Sequence, residues 1–235
     1  MPAIMRLYED VVPGDAALRV RLPALPRMIF VVHGEVAIAG RALSDGEAWH
    51  GEGAVTLAPG SAGVTCWRFE LAGLADGDGS ALAAGIASRL KLAAAVEALP
   101  AGELLLRGDS VAFPPGGCAY LHRHQGPGIR CLIEGGIRID TRGTSTSYGP
   151  GGAWYESGPD PVFAQGARDR PTRFIRMMIL PRALLGKSSI EYLNAEDKTK
   201  PKSQSYKGFA DAPISFAPAA TPTGEARGCG DFHAE

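Results

Sequence analysis

Paired cysteines, charge of one dominant sign and long apolar runs are all missing from this chain. The four cysteines, Cys66, Cys118, Cys131 and Cys229, are scattered, with no CxxC pair among them. A disulfide framework and a cysteine-built zinc site are thereby set aside, and a reducing cytoplasm is the expected compartment. Lysine plus arginine number 24 against 25 acidic residues, a net charge of −1. No global basic field therefore marks a nucleic-acid or anionic-membrane partner. No apolar run is long enough for a membrane span, and Met1-Pro2-Ala3-Ile4-Met5-Arg6 lacks the basic-then-apolar order of a secretory leader. GxGxxG, GxSxG, HExxH and the phosphate-loop pattern are absent too. Nucleotide-binding and serine-hydrolase chemistry have no support.

Glycine and proline are abundant instead, 31 and 18 of 235 residues. That is about a fifth of the chain, against about 12% in average usage, yet short of a disordered composition. With 45% hydrophobic residues the chain can bury a core, and so many turn formers favour an all-β architecture over a helical bundle. Strands are expected at Met28–Val32, Glu35–Ile38, Val64–Leu71, Glu103–Leu106, Ile129–Ile133, Gly136–Asp140 and Phe174–Leu180.

The punctuation repeats. Val32-His33-Gly34-Glu35 matches Ile133-Glu134-Gly135-Gly136 at an offset of 101. Gly46-Glu47-Ala48-Trp49 matches Gly151-Gly152-Ala153-Trp154, and Arg68-Phe69 matches Arg173-Phe174, both at 105. One insertion near 141–147 reconciles the offsets, so the chain reads as a duplicated unit of about 100 residues. The expected organisation is a first barrel over 1–79, a helix over 80–100, a second barrel over 101–182 and an extension over 183–235. The helix is read from the Ala- and Leu-rich stretch Ser80–Leu99, with a serine N-cap and Pro100 beyond it. The extension reads as a partly extended arm, with a basic segment at Lys198–Lys207.

One constellation carries chemistry. His122 and His124 are two residues apart, so on a strand both imidazoles face one side and Arg123 the other. Two neutral imidazoles side by side suit a divalent transition metal. Gly116, His122, His124 and Gly135 together resemble the first signature motif of the cupin superfamily. Gly151 to Val162 resembles the second in length and turn chemistry. The resemblance is strong over the second half and weak over the first. It implies two jelly-roll barrels, a degenerate one followed by one of the metal-binding type. It also implies a metal-dependent enzyme, for which an oxygenase is the favoured class; isomerases, lyases and decarboxylases occur in the same family. A homodimer and a small-molecule ligand are further implications, with no nucleic acid and no membrane.

The family's metal-binding Glu falls at Gly128 and its third His at Val162. Glu156 is the best replacement, completing a two-His-one-carboxylate set for Fe(II), with Mn, Ni or Zn as alternatives; Gln125, Tyr148 and Tyr155 rank below it. Alternation turns Gly128, Arg130 and Leu132 inward together. A buried Arg130 needs an anion, either a substrate carboxylate or Glu156 itself. Arg130 and Tyr155 are the candidate catalytic residues. Gly128, Arg130, Trp154 and Phe163 are the candidate pocket, with Gly128 leaving room beside the histidines. In the first half His122, His124 and Gly128 map to Arg21, Pro23 and Arg27, so that barrel is expected to be structural. His33 and His50 are expected in surface turns.

Overall fold

Seventeen strands are threaded through the residues described by the computed structural model, which are 3–15, 17–74, 76, 77, 79, 82 and 85–216. Cys229 and His233, the tail pair whose side chains could together chelate a metal, lie outside the described residues. The first barrel contains β1 (Ala3–Val12), β2 (Val20–Leu22), β3 (Arg27–Ile38), β4 (Arg41–Leu43), β5 (Ala48–Gly51), β6 (Val55–Gly73) and β7 (Ala87–Val96). The second contains β8 (Leu104–Phe113), β9 (Cys118–His124), β10 (Gly128–Glu134), β11 (Ile137–Thr141), β12 (Thr144–Tyr148), β13 (Ala153–Glu156), β14 (Val162–Gly166), β15 (Thr172–Pro181), β16 (Ile190–Tyr192) and β17 (Ser205–Ile214).

The second barrel is two five-stranded antiparallel sheets, β13-β10-β15-β8-β17 and β12-β11-β14-β9-β16. In the first barrel β3 and β6 are long enough to serve both sheets, which therefore run together as one seven-stranded system. Alternation along each strand separates two apolar populations. Val31, Val36, Ile38, Leu57 and Cys66 fill the first barrel, while Val111, Leu132, Ile139, Ala164 and Phe174 fill the second. The opposite faces of the same strands, among them Met5, Phe30, Phe69, Ile129, Ile175 and Met177, form the core between the barrels. Each such side chain contributes roughly 1.5–3 kcal/mol by leaving water. Both faces of β3, β6, β10 and β15 are thus buried, which is why these strands read as nearly continuous apolar runs.

The duplication is visible in hydrogen bonds. Gly46 N–H donates to Val31 O and Val31 N–H to Glu47 O, each at 2.9 Å. Gly151 N–H donates to Leu132 O at 2.7 Å and Leu132 N–H to Gly152 O at 2.9 Å, the same turn in the second barrel. Gly46 and Gly151 have φ of 76° and 81°, a left-handed geometry that favours glycine. The third sequence match does not hold in space. Phe69 lies in the core between the barrels and Phe174 inside the second barrel. Ladder register pairs Ile29 with Arg68 and Arg130 with Arg176, so the equivalent of Arg68 is Arg176.

Three further expectations are corrected. Within Ser80–Leu99, residues Ala87–Val96 form a strand, not a helix, paired antiparallel with β1. The open edge of β1 offers a ladder of backbone partners, and Leu92 and Val96 reach the core between the barrels. Tertiary pairing overrides the helical preference of alanine and leucine there. The described part of the extension, up to residue 216, is not an arm. Its strand β16 pairs with β9 and its strand β17 with β8, giving each sheet of the second barrel an edge. His33 and His50 lie in strands β3 and β5 rather than in turns; His50 is half-buried and His33 is exposed beside Asp45. Among the described residues no helix is long and apolar enough to cross a membrane.

Candidate functional site

The inward faces of β9, β10, β13 and β15 converge at one end of the second barrel. His122, His124, Arg130, Glu156 and Arg176 are all buried there, around an inner chamber of about 20 Å³. Arg123 points the other way and pairs with Glu191 at 2.9 Å on the surface. The imidazole centroids are 4.9 Å apart, with the rings edge to face. His122 Nδ1 lies 2.7 Å from Tyr120 O, an acceptor that fixes the proton on Nδ1 and leaves Nε2 with a free lone pair. His124 Nδ1 lies 3.4 Å from Ser189 Oγ.

Glu156 sits opposite Gly128 in the β10–β13 ladder, so its carboxylate reaches the chamber from the strand next to β10. Trp154 Nε1 donates to its Oε1 at 2.9 Å. Its Oε2 stands 2.7 Å from Arg130 Nη2 and 3.8 Å from His124 Nε2. The contact with Arg130 lacks hydrogen-bond alignment, leaving Oε2 buried without a donor. Arg130 donates through Nη1 to Gly128 O at 2.7 Å. The space at Gly128 is therefore filled by a guanidinium rather than open to a ligand, which corrects the expectation of room there. A Cβ at 128 would lie 2.7 Å from Met177 O and 3.0 Å from Arg130 Nη1.

Burial pushes the pKa of His122 below its usual value and that of His124 well below it, and both nearby guanidiniums add to the effect. Burial also pulls Arg130 down to about 10, against the pull of Glu156. Arg176 goes up although burial opposes it, because Asp109 accepts from its Nε at 2.7 Å and its Nη2 at 2.9 Å.

The chamber opens onto a larger cavity of about 530 Å³, lined by Arg107, Asp109, Arg176, Tyr192, Lys202 and Tyr206 among others. Arg176, Ile190, Gln204 and Tyr206 border both spaces, so the extension walls the entrance. Gln204 Oε1 is buried there with no hydrogen-bond partner. Asp109, Arg176, Gln204 and Tyr206 were not legible as site residues in the sequence. For Asp109 and Arg176 the inward parity of β8 and β15 could have found them; nothing local places the extension.

The fold has counterparts among solved structures. An oxalate decarboxylase variant of Bacillus subtilis superposes with TM-score 0.54 at 12% identity, over 83% of this chain and 73% of that one. AerE from Microcystis aeruginosa superposes with TM-score 0.52 at 12% identity, over 76% and 88%. The fold is the double jelly-roll of the cupins. At this identity the likeness is one of fold alone. No family model matches the chain, and no curated protein sequence does either.

Within this cupin fold, two of the candidate residues are misplaced. Tyr155 alternates with Trp154 and Glu156, so it faces outward and packs on the core between the barrels. It does not line the chamber. Phe163 alternates with Val162 and Ala164, which fill the second barrel, and so lies on the outer face of β14. Trp154 does face inward, stacked on Tyr148 with ring centroids 5.0 Å apart.

Two predictions follow from this packing. Gly128→Ala forces a methyl against the Met177 carbonyl and is expected to cost about 1–3 kcal/mol in denaturant unfolding. An unchanged midpoint would mean that β10 and β15 separate easily. Acid is expected to destabilise the fold through His122 and His124. Unfolded histidine titrates near 6.5, and both folded values lie below that. As the pH falls below the unfolded value, the unfolded chain takes up protons that the folded chain excludes. Stability is then lost at up to about 1.4 kcal/mol per pH unit for each histidine. Unfolding curves between about pH 7 and about pH 5 should show that slope, and a His122→Asn/His124→Asn variant should flatten it.

Proposed function

We propose that the second barrel is a metal-dependent enzyme site for a small anionic or aromatic molecule, with His122, His124 and Glu156 as the metal-holding residues. One observation carries this reading. The buried Glu156 Oε2, lacking a hydrogen-bond donor, faces two imidazoles kept neutral by burial, one of them with Nε2 free. In donor chemistry the three suit Fe(II), with Mn, Ni and Zn as alternatives. They are not drawn into a closed set, because among the described residues no group of three His, Cys, Asp or Glu is arranged around a metal position. Closing it asks Glu156 Oε2 to leave Arg130 for the imidazoles.

A bound Fe(II) supplies one-electron and dioxygen chemistry, which places an oxygenase first among the reactions considered. The chain's own residues do the rest. Arg130, released by Glu156, presents a buried guanidinium to a carboxylate or enolate of the substrate. Arg176, held by Asp109, adds a second positive charge at the chamber neck. Tyr206 lies under the Arg176 guanidinium, 5.7 Å from its ring centroid, and Lys202 lies 4.5 Å from the Tyr192 centroid. An anionic, flat molecule entering the cavity meets cations and ring faces together, and little water fits in a chamber of about 20 Å³.

A second reading is favoured by the Arg130–Glu156 contact itself: a non-catalytic barrel that binds an anion and takes up no metal. Metal analysis of the purified protein separates them. The enzyme reading expects stoichiometric Fe, Mn, Ni or Zn that is lost in a His122→Ala/His124→Ala variant. A metal-free protein whose melting temperature is unmoved by those ions supports the second reading and ends the first.

A further inference from the structure

Size separates the two spaces of the second barrel. The inner chamber holds about 20 Å³ and the entrance cavity about 530 Å³. A cavity of about 150 Å³ takes one benzene. The chamber therefore admits no ring, whereas the entrance cavity has room for two fused rings and a substituent. An organic ligand must keep its body in the entrance cavity and send at most an end group past the neck. Every residue lining that cavity belongs to the described part of the chain.

The carboxylates of the entrance cavity are already engaged. Asp109 accepts from Arg176 Nε at 2.7 Å and Nη2 at 2.9 Å. Asp211 accepts from Arg107 Nε at 2.9 Å and from the Gly186 N–H at 2.8 Å. Arg107 turns its Nη1 and Nη2 to the carbonyls of Lys187 and Leu184. Arg176 Nη1 differs. It has no acceptor among the described residues, and it is not sealed off from open space. Arg176 borders both spaces, so this open donor stands at the neck. Lys202 adds a second cation, held by the carbonyls of Asp197 and Lys200 and 4.5 Å from the Tyr192 ring.

The same neck offers a ring face. Tyr206 is 53% exposed, and its ring centroid lies 5.7 Å from the Arg176 guanidinium carbon. A planar guanidinium beside an exposed ring suits a ligand whose carboxylate is joined to a flat aromatic body. We propose that the entrance cavity selects the ligand of this barrel, and that the ligand is a fused-ring aryl carboxylate. Arg176 Nη1 takes the carboxylate and Tyr206 the ring. The proposal rests on the second barrel being the ligand-binding one, as read above, and it needs no metal.

Titration calorimetry on the full chain, stripped of metal by a chelator, tests it with 2-naphthoate, benzoate and 2-naphthamide. 2-Naphthoate is expected to bind saturably. Benzoate has one ring fewer, and 2-naphthamide has the rings without the charge. Each is expected to bind about tenfold more weakly or worse. Tyr206→Ala should weaken 2-naphthoate about tenfold and benzoate by less. Asp109→Asn/Arg176→Gln keeps a neutral pair in place of the ion pair and should weaken 2-naphthoate by about tenfold or more. Should that double variant fail to fold, Tyr206→Ala and the three probes still decide. Arg21→Gln, in the first barrel, should change nothing. Absence of saturable 2-naphthoate binding overturns the proposal. So do equal binding by the three probes and a loss in Arg21→Gln in place of Tyr206→Ala. Binding that appears only with added Fe(II) or Mn also overturns it, while keeping the metal reading. Binding by a protein that takes up no metal supports it and ends the metal reading alone.

Discussion

Replacing Arg130 by leucine is expected to destabilise the metal-free protein by about 3–5 kcal/mol, among the largest single-residue losses in the chain. The guanidinium is 1% exposed and stands 2.7 Å from Glu156 Oε2. Removing it strands a buried carboxylate that keeps only the Trp154 N–H at 2.9 Å. It also removes the group that fills the space over Gly128. The cost arises from the abandoned charge more than from the lost pair, so Arg130→Leu/Glu156→Leu should recover most of it. Chemical denaturation of the two single variants and the double variant measures this directly. Losses that simply add would show that Arg130 and Glu156 do not depend on one another. A bound divalent cation would compensate Glu156 in place of Arg130, so saturating metal should shrink the cost of Arg130→Leu.

His122→Ala is expected to weaken transition-metal binding by more than about 100-fold, since even outer partners of metal ligands cost about 10–100-fold. The imidazole removed is the one whose tautomer is already set by Tyr120 O. In the unchanged protein, metal at about 100 times its dissociation constant should raise stability by about 2.7 kcal/mol. That gain should vanish in His122→Ala and in Glu156→Gln. Melting curves with and without Fe(II), Mn, Ni and Zn measure it. A gain that survives in Glu156→Gln but not in His122→Ala would remove Glu156 from the set.

Much of this arrangement is legible from the sequence because strand alternation is a local rule. The spacing of His122 and His124, the inward turn of Gly128, Arg130 and Leu132, and the turn at Gly135 follow from period two and glycine geometry alone. The same rule places Tyr155 and Phe163 on outer faces once Trp154 and Val162 are known to face inward. Composition cannot supply that last step. An aromatic residue next to a motif looks alike on either face, and both faces of these strands are apolar.

The sequence by itself determined a turn-rich all-β chain in two related halves, with one histidine pair facing inward in the second. Those features depend on backbone preferences and on neighbours a few residues apart. Tertiary structure alone decided that Ala87–Val96 pairs as a strand and that the extension gives the second barrel its edges and its entrance. It also decided that Arg130 occupies the space at Gly128. Each outcome depends on an open strand edge or an unfilled volume contributed by residues far away in the chain. No local window of sequence contains that partner, so only the assembled barrels could settle it.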